Sequence, residues 1–192
     1  MKNRIREFIY NRYNISFSKS GDDVQLMKLI NNRTPGAYVD IGCWHPVKAS
    51  NTYFFYVRGW KGICIDPNPE LKVLYDQLRP KDNFVNAGVG ESGSSLEYYM
   101  FEESSMNTFS YDFVKKHNAE SKIIKKLEIP LYSLKEILDA NLDKNDRLDF
   151  LILMWKVLIS RCLKRMTGMF TDLKLSLSNR ILHCRMILLL KL

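Results

Sequence analysis

Up to Leu153 the chain alternates two apolar patterns, stretches spaced at helical intervals and short continuous runs that close on a polar residue or glycine. In GDDVQLMKLINN, Val24, Met27, Leu29 and Ile30 recur at helical spacing, with Ser20 or Asp22 placed to cap the start. RTPG then turns into AYVDIG, a buried-strand run ending in Asp40 and Gly42. Asn51 is placed to cap a helix TYFFYVR that stops at Gly59, and WKGICIDP is a second strand ending in Asp66. NPELKVLYDQLRP reads as a helix with Asn68 as N-cap, Pro69 as first residue and Pro80 as stop. NFVNAGVG is a third strand, LEYYMF a short exposed one, and SLKEILDA a helix opened by a capping box from Ser133 to Glu136. LDFLIL is the fourth buried strand. Alternation of helices with continuously apolar strands predicts an α/β fold whose parallel sheet is joined by right-handed crossovers. A length of 192 residues fits one such domain. The patterning divides it into an N-terminal helical segment (1–35), an α/β domain (36–153) and a tail (154–192).

Open parallel sheets bind ligands beyond the carboxyl ends of their strands, which here carry Asp40-Ile41-Gly42, Asp66-Pro67 and Asn86-Ala87-Gly88. An acid closing the second strand suits two ribose hydroxyls, a glycine after the first lets backbone approach a ligand, and an amide at the third can read an adenine edge. A dinucleotide fingerprint needs three spaced glycines facing a pyrophosphate. DIGCWHP offers one glycine, then tryptophan and proline, and no lysine-bearing phosphate loop exists. That disfavours an NAD oxidoreductase and favours a nucleoside cofactor without phosphates, S-adenosylmethionine. The four cysteines have no metal-ligand spacing, so no metal is expected.

These residues carry a family resemblance. The series VDIG-x-x-HP, SNT, GW-x-G-x-x-x-DPNP, with NFVNAGVG, MNTFS, IPLYSLKEIL and LDFLIL, resembles the FkbM family of S-adenosylmethionine-dependent methyltransferases from about Gly21 to Leu153. The resemblance implies a Rossmann-like class I methyltransferase fold and methyl transfer to a hydroxyl oxygen, with a small molecule or glycan as acceptor. By resemblance Asp40 and Gly42 hold the methionine part of the cofactor, Asp66 the ribose and Asn86 the adenine side. Cys43 stands where the family has a smaller residue. His45 carries two readings, a satisfied structural histidine and a general base for an acceptor hydroxyl. Asp40 and Asp66 could each be a turn former alone, but adjacent strand ends make them a pair. Trp44, Phe54, Phe55 and Trp60 are expected in the core.

At Met154 the grammar changes. The net charge is +8, yet after Phe150 eight bases stand against Asp172 alone, which leaves +1 for residues 1–150. Glutamate, proline and tyrosine are absent beyond Met154. In the family the fourth strand continues into Asp-Val-Glu-Gly, whereas here it continues into Met154-Trp155-Lys156-Val157. Methionine and tryptophan have single codons, and the frame one base earlier forces valine and glutamate there and permits the flanking aspartate and glycine. Met166-Thr167 likewise forces an aspartate and Met169-Phe170 a valine. The tail therefore reads as out-of-frame translation after a one-base deletion at the Leu153/Met154 boundary. The expected product is an incomplete fold that keeps the first four parallel strands and loses the later ones, with an unpaired apolar edge and little or no turnover. The alternative is a non-catalytic α/β protein whose basic tail binds nucleic acid or an anionic membrane. On the frameshift reading the charge says nothing about partners, and no nucleic acid is expected. MKNRIREFIYNRYN lacks a signal-peptide pattern and ILHCRMILLLKL is too short and basic to span a bilayer, so a cytoplasmic location is expected.

Overall fold

The structure, a computed structural model, describes residues 9, 10, 12–30, 35–142, 148–154, 176–182 and 185–191, with Met154 and the last two spans described as backbone only. A helix α1 (Asp22–Leu29) leads into β1 (Ala37–Ile41), α2 (Tyr53–Tyr56), β2 (Lys61–Asp66), α3 (Leu71–Leu78) and β3 (Asn83–Asn86). A two-residue β4 (Gly88–Val89), β5 (Ser95–Phe101), α4 (Tyr111–Lys116) and the long β6 (Ile123–Tyr132) follow. The chain then forms α5 (Leu134–Asn141), β7 (Leu148–Met154), β8 (Ser176–Leu182) and β9 (Arg185–Lys191).

The main sheet has the order β3-β2-β1-β7-β9-β8, and its first four strands are parallel. These strands read as unbroken apolar runs because both faces are covered. Tyr38, Cys64, Phe150 and Ile152 pack with Leu26, Met27, Phe54, Phe55 and Tyr75 of the helices on one face. Val39, Ile41, Ile63, Ile65, Leu151 and Leu153 pack with Leu134, Ile137 and Leu138 of α5 on the other. A second sheet, β4-β6-β5, joins β6 antiparallel to β5 and parallel to the short β4.

The four parallel strands lie where the apolar runs predict them, and so does the capping box, in which Ser133 and Glu136 each satisfy the other's backbone N–H. Several local expectations change. α1 enters through Gly21 with no side-chain cap, and Asp23 instead accepts from Phe17 N (2.7 Å), Ser18 N (3.2 Å) and Ser16 Oγ (2.6 Å). Ser50, not Asn51, serves the start of α2, its Oγ accepting from Tyr53 N at 3.1 Å. The Asn68 side chain accepts from Glu70 N, but a tight turn delays the regular helix to Leu71. LEYYMF is not exposed, since Tyr98, Tyr99, Met100 and Phe101 are buried.

The largest correction concerns the edge beside β7. It is not unpaired: β9 runs antiparallel to it from Phe150↔Leu189 to Met154↔Arg185, and β8 closes the sheet. A sheet edge is completed by backbone N–H and C=O groups, so an apolar extended segment satisfies it whatever family sequence it lacks. The Met154–Leu192 tail reading otherwise falls largely on residues 155–175, 183, 184 and 192, outside the described residues.

Candidate active site

β1, β2 and β3 place their polar residues side by side. Asp40 is in register with Cys64 on β2, and Asp66 is in register with Asn86 on β3. Beyond β1 the chain stays docked on β2, with Gly42 N and Cys43 N both donating to Ile65 O at 2.8 and 3.2 Å. Gly42 does so at φ +75°, a left-handed conformation that glycine adopts without penalty. Trp44 also has positive φ, +49°, and its backbone N–H donates to Asp66 Oδ2 at 3.0 Å.

Asp66 is buried and ties two loops together, because its Oδ1 accepts from Asn68 N at 3.0 Å. A carboxylate is an acceptor-only group, the chemistry a pair of vicinal hydroxyls needs. The Asn86 Nδ2 donates to the Asp66 carbonyl at 3.0 Å, and the residue is exposed. The amide still has an acceptor oxygen and a second N–H. Asp40 is 2% exposed and accepts the Thr52 hydroxyl on Oδ2 at 2.7 Å.

His45 is half-buried, and its Nδ1 accepts from Val47 N (3.0 Å) and Lys48 N (2.9 Å). Burial, and then the Lys48 charge, hold its pKa below the ordinary value. A neutral ring with Nδ1 accepting carries its proton on Nε2. Acting as a base through Nε2 would need the other tautomer, with its Nδ1–H facing two N–H donors. The ring's geometry is therefore that of a clamp on the loop after β1.

Phe54, Phe55 and Trp60 are buried in the core, whereas Trp44 is only half-buried and donates from Nε1 to Ser104 Oγ at 3.0 Å, joining the loop after β1 to the turn after β5. Burial pushes the Tyr98 hydroxyl far up, and the Asp66 charge adds to it. Burial, and then Cys64 beside it, push the Cys43 thiol up.

The sequence reading missed Arg79. It is fully buried, pairs with Asp82 and donates to the loop between Pro46 and Thr52. The available signal was an arginine at a helix stop with an acid three residues later, inside a nearly neutral body. Among the described residues no cluster of His, Cys, Asp and Glu is placed to hold a metal ion, and no helix is long and apolar enough to cross a membrane.

A parallel sheet flanked by helices, with polar residues at three adjacent carboxyl ends, defines a Rossmann-like α/β fold of the methyltransferase type. The methyltransferase FkbM domain matches residues 36–153, so the chain belongs to the FkbM methyltransferase family. Membership implies a methyl donor. No curated protein matches this sequence.

Proposed function

We propose that the chain carries the S-adenosylmethionine site of an O-methyltransferase acting on a hydroxyl, with a glycan or small molecule as acceptor, and that the chain as written turns over little or not at all. The observation that carries the cofactor reading is the convergence of Asp40, Asp66 and Asn86 at the ends of three adjacent parallel strands. The donor set suits the cofactor: a buried carboxylate at the end of β2 for the ribose hydroxyls, an exposed amide for the adenine edge, and an acid near a left-handed glycine for the methionine part. When bound, the cofactor supplies an electrophilic methyl group on a sulfonium. The protein's own contribution is position and exclusion of water, with the loop from Gly42 to Thr52 held before any ligand arrives.

Low turnover follows from the acceptor side. Leu153 is in register with Ile41, so the end of β7 lies beside the end of β1, and Met154 stands where the family places an acid. The His45 ring nitrogen nearest the loop backbone is already engaged as an acceptor. The frameshift after Leu153 accounts for the substitution. A cytoplasmic setting belongs to the same proposal.

Titration calorimetry with S-adenosylhomocysteine tests the cofactor reading. The expected result is binding by the chain and at least about tenfold weaker binding by Asp66→Ala, since two charge-assisted hydrogen bonds are lost. Equal affinity in the variant would remove Asp66 from the site. The basic tail supports a second, non-catalytic reading, which requires salt-sensitive binding to DNA or anionic vesicles and indifference to S-adenosylhomocysteine.

A further inference from the structure

Arg79 closes α3 and is 0% exposed, a costly position for a charge unless its donors are satisfied. Its Nε donates to Asp82 Oδ2 at 2.6 Å and its Nη2 to the Tyr38 hydroxyl at 2.6 Å. Tyr38 in turn donates to Asp82, whose Oδ1 also accepts from Gly62 N at 2.8 Å. This half of the network neutralises the guanidinium and fixes its plane against β1 and β2.

The other half faces the loop after β1. Nη1 donates to Pro46 O (3.2 Å), Ser50 Oγ (3.3 Å) and Thr52 Oγ1 (3.1 Å), and Nη2 also donates to Thr52 Oγ1 (3.1 Å). A hydroxyl oxygen has two lone pairs and one proton. With both lone pairs facing guanidinium N–H groups, the Thr52 proton has one direction left, and it points to Asp40 Oδ2 at 2.7 Å. Donation therefore runs one way, from Arg79 to Thr52 to Asp40.

We infer that Arg79, held by Asp82 and Tyr38, is a positioning residue for the cofactor site. Through Thr52 it fixes the rotation of the Asp40 carboxylate, and through Pro46 and Ser50 it sets the path of the loop that begins at Gly42. It touches no ligand itself. The inference rests on the proposed role of Asp40 in cofactor binding and assigns a new role to residues from the far end of α3. A structural ion pair would need only Asp82; donation by the opposite edge of the guanidinium to three loop atoms is what ties it to the site.

Removing Arg79 would leave Asp82 buried and unpaired, so the informative substitutions lie at Thr52. Thr52→Val keeps the shape and loses the hydroxyl, while Thr52→Ser keeps the hydroxyl. The expected result is S-adenosylhomocysteine affinity about tenfold weaker in Thr52→Val and within about twofold of the parent in Thr52→Ser, the difference expected for one hydrogen bond to a charged group. Urea midpoints of both variants report the fold separately. Should the valine variant unfold, Tyr38→Phe removes an acceptor of Arg79 without touching the loop, and an affinity loss of about threefold is expected. Parent-like affinity in a folded Thr52→Val chain, or in a folded Tyr38→Phe chain if that variant has to be used, overturns the inference while leaving the cofactor reading intact. Failure of the parent chain to bind S-adenosylhomocysteine overturns both.

Discussion

His45 shows how one side chain can set both the shape of a loop and its response to pH. Its Nδ1 accepts two backbone N–H groups, Val47 and Lys48, an arrangement only the neutral ring can make. Burial and the nearby lysine lower its pKa in the folded chain below the ordinary 6.5. Between the two values the unfolded chain binds more protons than the folded one, so stability rises with pH in that window. The contribution is fully present above about 6.5 and falls away as pH drops through the lower folded value. Urea midpoints measured between pH 5 and 8 should therefore fall on the acid side, and His45→Ala should flatten that part of the profile. An unchanged acid limb in the variant would place the titrating group elsewhere. Gly62 illustrates a different residue-scale constraint. A Cβ there would lie 1.9 Å from the Tyr38 ring, the same ring whose hydroxyl bonds Arg79 and Asp82. The missing side chain is what lets the tyrosine lie flat across β2.

At the scale of single elements, α5 carries a reciprocal capping box at its start. Ser133 Oγ accepts from Glu136 N (3.2 Å), and Glu136 Oε2 accepts from Ser133 N (2.8 Å). Hydrogen bonds from Ser92 and then Ser133 lower the Glu136 pKa. Leu134, Ile137 and Leu138 of this helix cover one face of the main sheet. Ser133→Ala is expected to cost about 1 kcal/mol in chemical denaturation, the usual loss for an N-cap hydroxyl; a change below about 0.3 kcal/mol would mean that packing alone holds the helix. The cap could be read from Ser133 and Glu136 because it depends on residues three apart. The strands β1, β2 and β7 could be read because burial on both faces leaves them uniformly apolar. β6 could not. Its Lys125, Lys126 and Glu128 face outward, Ile124 is 65% exposed, and its partner β5 starts nearly thirty residues earlier. The same distinction governs the site. Asp40 and Asp66 are legible because each ends an apolar run. Arg79 acquires its meaning from Pro46, Thr52 and Tyr38, which lie 33, 27 and 41 positions away.

At the scale of the whole molecule, β9 and then β8 extend the sheet beyond β7. β9 and β8 lie outside the matched span of 36–153, yet β9 supplies β7 with an antiparallel ladder. Backbone pairing demands little of sequence, which separates two properties a frameshift would be thought to destroy together. Completion of the edge survives an arbitrary apolar segment; the proposed chemistry at the end of β7 would not, because it needs particular acids at particular positions. The proposed cofactor side draws on β1, β2, β3 and Arg79, all before Met154, so on that proposal ligand binding and turnover should come apart in this chain. Inserting one G between the codons for Leu153 and Met154 would write Asp-Val-Glu at the end of β7, beside Ile41 and Gly42, with glycine next where the Lys156 codon is AAG. Both forms are expected to bind S-adenosylhomocysteine within about threefold of each other, since the two chains share every group proposed to contact it. Release of S-adenosylhomocysteine from S-adenosylmethionine in the presence of hydroxylated acceptors should rise at least about a hundredfold in the restored form, the scale of a positioned general base. Equal turnover by the two forms would show that the acids after β7 are not what the written chain lacks.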